Sequence, residues 1–436
     1  MSFAIRDDNG RYITLPHANG LAYPLPSLAT KTNLQWKEVL PTHMLWLYDA
    51  SADSENIMTK LIAVLAITVT ATVVRADNHQ PKFSDEPIWV SGSRQSGGDG
   101  NARLLDVDQD GDLDVVTSLP SPSRWAVFEN VGGKLAENPM WESEATTDCD
   151  HISVLDFNQD GMPDLAGTHE SHNTLYLNEK SRKHRFNTVP DWETDFYTDS
   201  NQIDFGDMDG DGDYDMLIAS GLPTFQLALC ENKDGKLSRK ITRRIGPRQY
   251  SESSIFGDID QDGDQDIIAT YGKEGTILVF QNKGGGKFDD GTEIFKDKQV
   301  SHVQRVYCID INDDGKMELF CAKGPWGPPG RSVALSYDDG VVKQVWESAA
   351  NTGFHGFDFA DVDGDGDLDM AAADWSGRST SVYLQEDGMI AKQPVWSAVT
   401  RAPVHEAVFG DIDGDGDLDV VAGGLDQAML FENRSK

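Results

Sequence analysis

The sequence predicts an all-β fold, a seven-bladed β-propeller whose last blade is closed by an N-terminal strand. Three observations predict it. An acidic motif recurs seven times, beginning at Asp106, Asp156, Asp207, Asp258, Asp310, Asp361 and Asp411, at intervals of 50 to 52 residues. Each interval holds about four short β-rich runs punctuated by turn residues, and no helical period is sustained after residue 76. The final repeat stops at "MLFENRSK", one strand short, while an orphan strand "EPIWVSG" (residues 86–92) precedes the first motif. Repeats of this length with four strands read as blades around an axis, and the orphan completes the last blade.

Within a repeat the elements follow one order. An alternating stretch enters the acidic loop, as in "EAVFGDID" (residues 406–413), and a β-rich run such as "DVVAGG" or "DIIAT" leaves it. A third run ends in a turn, as in "LALCENKDG" or "ILVFQNKGGG". A fourth often carries tryptophan, as at Trp141, Trp192, Trp346 and Trp396, which suits packing between blades. The propeller is therefore placed at 86–436, with residues 77–85 as a lead-in.

Upstream, "MTKLIAVLAITVTATVVRADNH" begins at Met58 with a basic residue, an apolar run and small residues around Ala76. That three-part form reads as a secretory signal peptide at 58–76, too short for a comfortable membrane span. Residues 1–57 show no sustained periodicity or motif and are read as a start-site artefact or an unstructured extension. The expected location is outside the cell or in the periplasm.

Charge narrows the function classes. The chain carries 37 Lys+Arg against 73 Asp+Glu, a formal net charge of −36. A basic nucleic-acid footprint is absent. The acids are interleaved with Val, Ile, Leu and Phe, unlike a disordered acidic tail. Of four cysteines, Cys308 and Cys321 flank one acidic loop on adjacent predicted strands and are the candidate disulfide pair.

The loops read D-x-[DN]-x-D-G-x-x-[DE]. Position 3 is Asp108, Asn158, Asp209, Asp260, Asn312, Asp363 and Asp413. Position 5 is Asp110, Asp160, Asp211, Asp262, Asp314, Asp365 and Asp415; position 9 is Asp114, Asp164, Asp215, Asp266, Glu318, Asp369 and Asp419. Position 6 is always Gly, and position 7 tolerates Met162 and Lys316, as a backbone-carbonyl ligand would allow. Hard oxygen donors at alternating positions around a glycine pivot describe calcium; zinc or copper would call for His or Cys. Up to seven structural Ca²⁺ are expected, with a calcium loop in each blade and the second and fifth loops weakest. Dockerin, EF-hand and nine-residue RTX spacings do not fit a period near 51.

With Phe205-Gly206, Phe256-Gly257 and Phe409-Gly410 ahead of three loops, the array resembles the FG-GAP/VCBS repeat family, which includes the integrin α-subunit propeller. The resemblance implies calcium ligands at positions 1, 3, 5 and 9, plus the carbonyl of position 7. It leaves function open, because propellers of this kind serve as lectins, adhesion modules and lyases.

Function must then sit on the face opposite the loops, where inner strands begin and second strands end. The strand starts contribute Asp150, His151, Asn201, Gln202, Tyr250, Glu252, His302, Gln304, Arg305, His355, His405 and Glu406. The loops after second strands contribute His169, Glu170, His172, Tyr271, Lys273, Trp326, Trp375 and Arg378, with Trp326 in the proline-rich "KGPWGPPGRS". Six of the ten histidines fall in these segments. Tryptophans for stacking and His, Glu and Arg for hydrogen bonding point to carbohydrate. The candidate ligand residues are His151, His169, His172, Arg305, Trp326, His355, Trp375, Arg378, His405 and Glu406. The reading is a binder of a glycan or of a cell-surface or extracellular protein. The alternative is a polysaccharide lyase in which Arg neutralises a uronate and His or Tyr moves protons. A metal held by His169 and His172 is a weaker alternative.

Overall fold

The computed structural model describes residues 3–6, 12–15, 34–37 and 46–49, then 80–92, 100–120, 122–146, 149–169, 171–197, 199–220, 225–298, 302–324, 326, 330–338, 340–349 and 352–435. The signal-peptide reading at 58–76 lies outside the described residues. The chain divides into two units, Met1–Val73 and Val74–Lys436. In the first, Phe3–Arg6 pairs antiparallel with Tyr12–Leu15, and Leu34–Lys37 with Trp46–Asp49.

The second unit is a seven-bladed propeller of four-stranded antiparallel blades. From axis to rim, blade 1 runs Ala102–Leu105, Asp114–Leu119, Arg124–Phe128 and Trp141–Glu142. Blade 2 runs His151–Leu155, Asp164–Thr168, Asn173–Tyr176 and Trp192–Glu193; blade 3 runs Ser200–Gly206, Asp215–Ser220, Leu227–Cys230 and Arg243–Ile245. Blade 4 runs Ser253–Gly257, Asp266–Tyr271, Thr276–Phe280 and Thr292–Lys296; blade 5 runs Val303–Ile309, Glu318–Lys323, Val333–Asp338 and Val341–Glu347. Blade 6 runs Phe354–Ala360, Asp369–Asp374, Ser379–Tyr383 and Trp396–Val399. In blade 7, Val404–Gly410, Asp419–Gly424 and Ala428–Phe431 are completed by the N-terminal Trp89–Val90, as the orphan strand predicts.

Second strands lie between two neighbours and two packed faces. They are therefore buried along nearly their whole length, with an apolar middle between the position-9 carboxylate and a polar or small residue near the end, as in Asp266–Tyr271, where every residue is buried. Rim tryptophans tie four of the blades to the next. Trp89 Nε1 donates to Ala136 O (2.9 Å), Trp141 to Asn187 O (3.1 Å), Trp192 to Leu237 O (3.0 Å) and Trp346 to Ile390 O (2.8 Å). These are packing residues of the blade interfaces, as expected from their position in the repeat.

All four cysteines are free. The strands holding Cys308 and Cys321 are adjacent, but Cys308 stands opposite Leu319 and Cys321 opposite Val306. A two-residue offset in register leaves the candidate pair unbonded.

Candidate functional site

At one end of the blades, the acidic loops are built by their own carboxylates. In loop 1, Asp106 accepts the N–H of Asp110 (3.1 Å) and of Gly111 (3.1 Å), while Asp110 accepts that of Asp112 (2.9 Å). The position-6 glycines all sit at positive φ, from 84° at Gly315 to 99° at Gly111, where an L side chain would be strained. Position 9 turns inward. Asp114 accepts the N–H of Val107 on one oxygen (2.8 Å) and of Asn130 on the other (2.7 Å), and the five other aspartates at this position do the same, while Glu318 accepts that of Ile311 (3.3 Å). Burial first, and then neighbouring carboxylates, push these groups up to about 6 in Asp164, Asp215 and Asp266, and to about 7 in Asp114, Glu318, Asp369 and Asp419.

Five loops bring three carboxylates close enough to hold a metal ion, with ligand oxygens within 4.8 Å of one another. They are Asp106/Asp108/Asp114, Asp207/Asp209/Asp215, Asp258/Asp260/Asp262, Asp361/Asp363/Asp365 and Asp411/Asp413/Asp415. The donors are all oxygen. Asp260 Oδ1 and Asp361 Oδ1 are buried without a hydrogen-bond partner, which is the state expected of an oxygen built for a cation. The second and fifth loops carry Asn158 and Asn312 at position 3 and so bring one carboxylate fewer.

At the other end, the inner-strand starts converge on a funnel of about 440 Å³ at the propeller axis. It is lined by Asp150, Asn201, Tyr250, Glu252, Lys273, His302, Gln304, Arg305, Trp326, His355, Trp375 and His405. One wall is aromatic. Trp326, 61% exposed, packs on Trp375 (ring centroids 5.3 Å apart), Trp375 on His405 (4.4 Å), and His405 stacks on His355 (4.1 Å, planes within 7°). The ladder runs from solvent inward. His405 is buried and neither ring nitrogen has a partner, whereas His355 Nδ1 lies 3.2 Å from His405 O. Burial, reinforced by Arg305, lowers His355 to about 3; burial and His355 lower His405 well below the usual imidazole range. Both rings are neutral at pH 7, and the His405 nitrogens are enclosed behind Trp375.

The opposite wall is polar. His302 Nε2 lies 2.7 Å from Glu252 Oε1, and Gln304 Nε2 donates to Glu252 Oε2 (3.2 Å). Lys273 Nζ sits 4.4 Å over the Tyr250 ring, and Tyr250 donates to Asn201 Oδ1 (3.0 Å). A register shift at the start of inner strands 3, 5, 6 and 7, as between Val303 and Arg305, re-aims these side chains into the funnel.

Of the ten candidate ligand residues, Arg305, Trp326, His355, Trp375 and His405 line the funnel. The other five are placed elsewhere. His169 is wholly buried against Trp125 with Nε2 3.0 Å from Thr174 Oγ1, and His172 lies beside Ser171 and Glu193. No metal group among the described residues includes either. Arg378 is exposed and reaches toward Arg401 O. His151 and Glu406 are buried beside Arg103 and outside the funnel lining, and Glu170 lies outside the described residues.

Glu406 forms a two-pronged ion pair with Arg103, with Nη2–Oε1 at 2.7 Å, and Arg305 stands 3.8 Å away. A second cavity of about 300 Å³, bounded by Arg103, Tyr307, Asp358 and Glu406, lies beyond. The pair lines this cavity, while Arg305 lines the funnel. Nothing in the repeat pattern marks Arg103; only its place three residues before a loop aspartate, facing the axis, carries the signal.

The model of the FG-GAP-like repeat matches residues 106–167, 156–218, 258–321, 310–372 and 361–422, over half the chain. The chain belongs to the FG-GAP-like repeat family. Each matched FG-GAP-like span runs from one acidic loop through the next, so the family's pattern and the blade period coincide. No curated protein sequence matches. Solved structures share the fold at low identity. BBS1N, in complex with ARL6DN, superposes with a TM-score of 0.54 at 12% identity over 80% of this chain and 97% of that one. A virginiamycin B lyase from Staphylococcus aureus gives 0.51 at 14% identity, over 80% and 99%. The WD40 domain of Toxoplasma gondii coronin gives 0.50 at 10%, over 81% and 85%. These likenesses support the propeller and nothing finer.

Proposed function

We propose that this is an exported, calcium-stapled propeller that binds a glycan in the funnel opposite its metal loops. The aromatic ladder carries the reading. Trp326 and Trp375 offer flat apolar faces to a pyranose, and the His405 ring backs Trp375 from within the funnel. Export rests on the form of residues 58–76. Calcium rests on the oxygen donor set and the two orphaned carboxylate oxygens, and the second and fifth loops hold it least tightly.

Trp375→Ala is expected to weaken glycan binding about tenfold, near 1.4 kcal/mol, without changing the melting temperature. Titration of the full chain in millimolar calcium against an oligosaccharide panel measures it. Unchanged affinity for every ligand that binds would remove the stacking role.

The buried position-9 carboxylates add a test of the metal. Their folded pKa values, about 6 to 7, stand above the ordinary 3.8 of Asp, so the metal-free fold binds more protons than the unfolded chain between these values. Stability in chelator is therefore expected to fall as pH rises from 5 to 8. Calcium needs the ionised form and reverses the sign. Thermal melts with chelator and with millimolar calcium check this, and the same slope in both would count against metal at these loops.

A second reading has its own observation, since Tyr250, the His302–Glu252 pair and Arg305 share the one pocket. These are the groups β-elimination on a uronate needs. A rise in ultraviolet absorbance from new unsaturated ends, on one uronate polymer, would make the protein a lyase.

A further inference from the structure

A third cavity, of about 560 Å³, lies between blades 4 and 5, lined by Phe295, Lys296, Asp297, Lys298, Lys323 and Arg331, with Val333, Gln344 and Glu347. It shares a wall with the funnel. Gly324 N–H donates to the carbonyl of funnel residue His302 (3.0 Å), and Asp297 N–H donates to Gly275 O (2.8 Å), next to the turn that carries Lys273. Lys323 and Arg331 stand on either side of Trp326 in the chain, so one segment serves both cavities.

The charge here runs against the rest of the molecule. Four cations and two carboxylates line the cavity, in a chain whose net charge is −36. The carboxylates are engaged: Asp297 is buried in an ion pair with Lys323 (2.8 Å), and Glu347 pairs with Arg331 (3.1 Å). Lys296 has Glu293 at 4.0 Å, with both side chains more than half exposed, which screens that pair heavily. Lys298 is exposed at the cavity edge. Phe295 supplies an aromatic surface, with Lys323 Nζ 5.5 Å from its ring centre.

From this arrangement we propose that the cavity is a second saccharide subsite, and that the ligand of the funnel is an anionic glycan chain. One unit stacks on Trp326 and Trp375, and a neighbouring unit places its carboxylate or sulfate among Lys296, Lys298 and Arg331. The inference rests on the glycan reading above and adds the charge and the length of the ligand. Lys323 is held by Asp297 and sets the wall; the exposed cations set the selectivity. Because they are solvent-facing, their contribution is salt-dependent.

The test compares the full chain with Lys296→Ala/Lys298→Ala/Arg331→Ala, in millimolar calcium. The probes are a galacturonate tetrasaccharide, a sulfated tetrasaccharide, and the galacturonate one with its carboxyls reduced. The expected result is tight, salt-sensitive binding of one anionic probe by the wild type. A loss of at least tenfold is expected in the triple variant, with a flatter salt dependence, unchanged melting temperature and unchanged affinity for the reduced probe. Which anionic probe binds distinguishes carboxylate from sulfate. Equal binding of charged and reduced probes by the wild type overturns the inference and leaves the glycan reading standing. So does undiminished affinity in the triple variant. Failure of every saccharide to bind the wild type overturns both.

Discussion

Replacing Glu406 with alanine is expected to destabilise the propeller by about 3–5 kcal/mol, the loss typical when one partner of a buried ion pair is removed. Its side chain is 4% exposed and holds Arg103 through both guanidinium prongs while Arg305 stands 3.8 Å off. Alanine leaves two guanidinium groups with less compensation. Burial pulls the Arg103 value down, yet Glu406 and its neighbours more than offset that and hold it above the usual arginine range. Urea unfolding at saturating calcium measures the loss. Glu406→Leu combined with Arg103→Met is expected to recover much of it, since matched apolar groups often replace a buried pair without cost. A single variant within about 1 kcal/mol of wild type would show that the site is wet enough to solvate both arginines.

Asp419→Ala is expected to cost about 2–4 kcal/mol and to loosen the closure of the ring. Asp419 accepts the N–H of Ile412 (3.0 Å) and of Asn433 (2.8 Å), and each buried donor left unmade costs about 1–3 kcal/mol. Asn433 in turn accepts the N–H of Lys82 (3.0 Å), and the Phe83–Asn433 bridge leads into the Trp89–Val90 strand. The same change at Asp164 removes two similar bonds, to Phe157 and Asn178, but not this link to the N-terminal segment. Hydrogen exchange should therefore quicken at the amides of Ser84, Ile88 and Ser91 in Asp419→Ala, and not in Asp164→Ala. Equal protection in the two variants would place the closure elsewhere.

Much of this architecture is legible in the chain itself. A motif repeated at a nearly constant interval sets blade number, because each unit buries its apolar faces only against its neighbours. The missing strand after Phe431 and the spare one at Trp89 specify how the ring closes. The loop positions are equally legible, since a tight turn around hard donors needs aspartates at alternating places and a glycine where φ is positive.

The funnel is legible only in part. Strand order alone places Arg305, His355, His405, Trp326 and Trp375 on the face opposite the loops. It also nominates His169, which the fold spends on packing against Trp125, and Glu406, which it spends on Arg103. Position on a face is a property of the repeat; direction of a side chain is a property of its surroundings.

The sequence by itself determined the blade count, the circular closure, the acidic loops and the end of the propeller where a ligand would meet polar side chains. Only the tertiary structure decided which of those side chains meet in one funnel, that Arg103 pairs with Glu406, and that a cationic cavity lies between blades 4 and 5. The reason is physical. Local periodicity and turn chemistry act between residues close along the chain. Glu406 meets Arg103 across 303 residues, and the funnel gathers residues from blades 2 to 7. No local pattern encodes such meetings until the ring has closed.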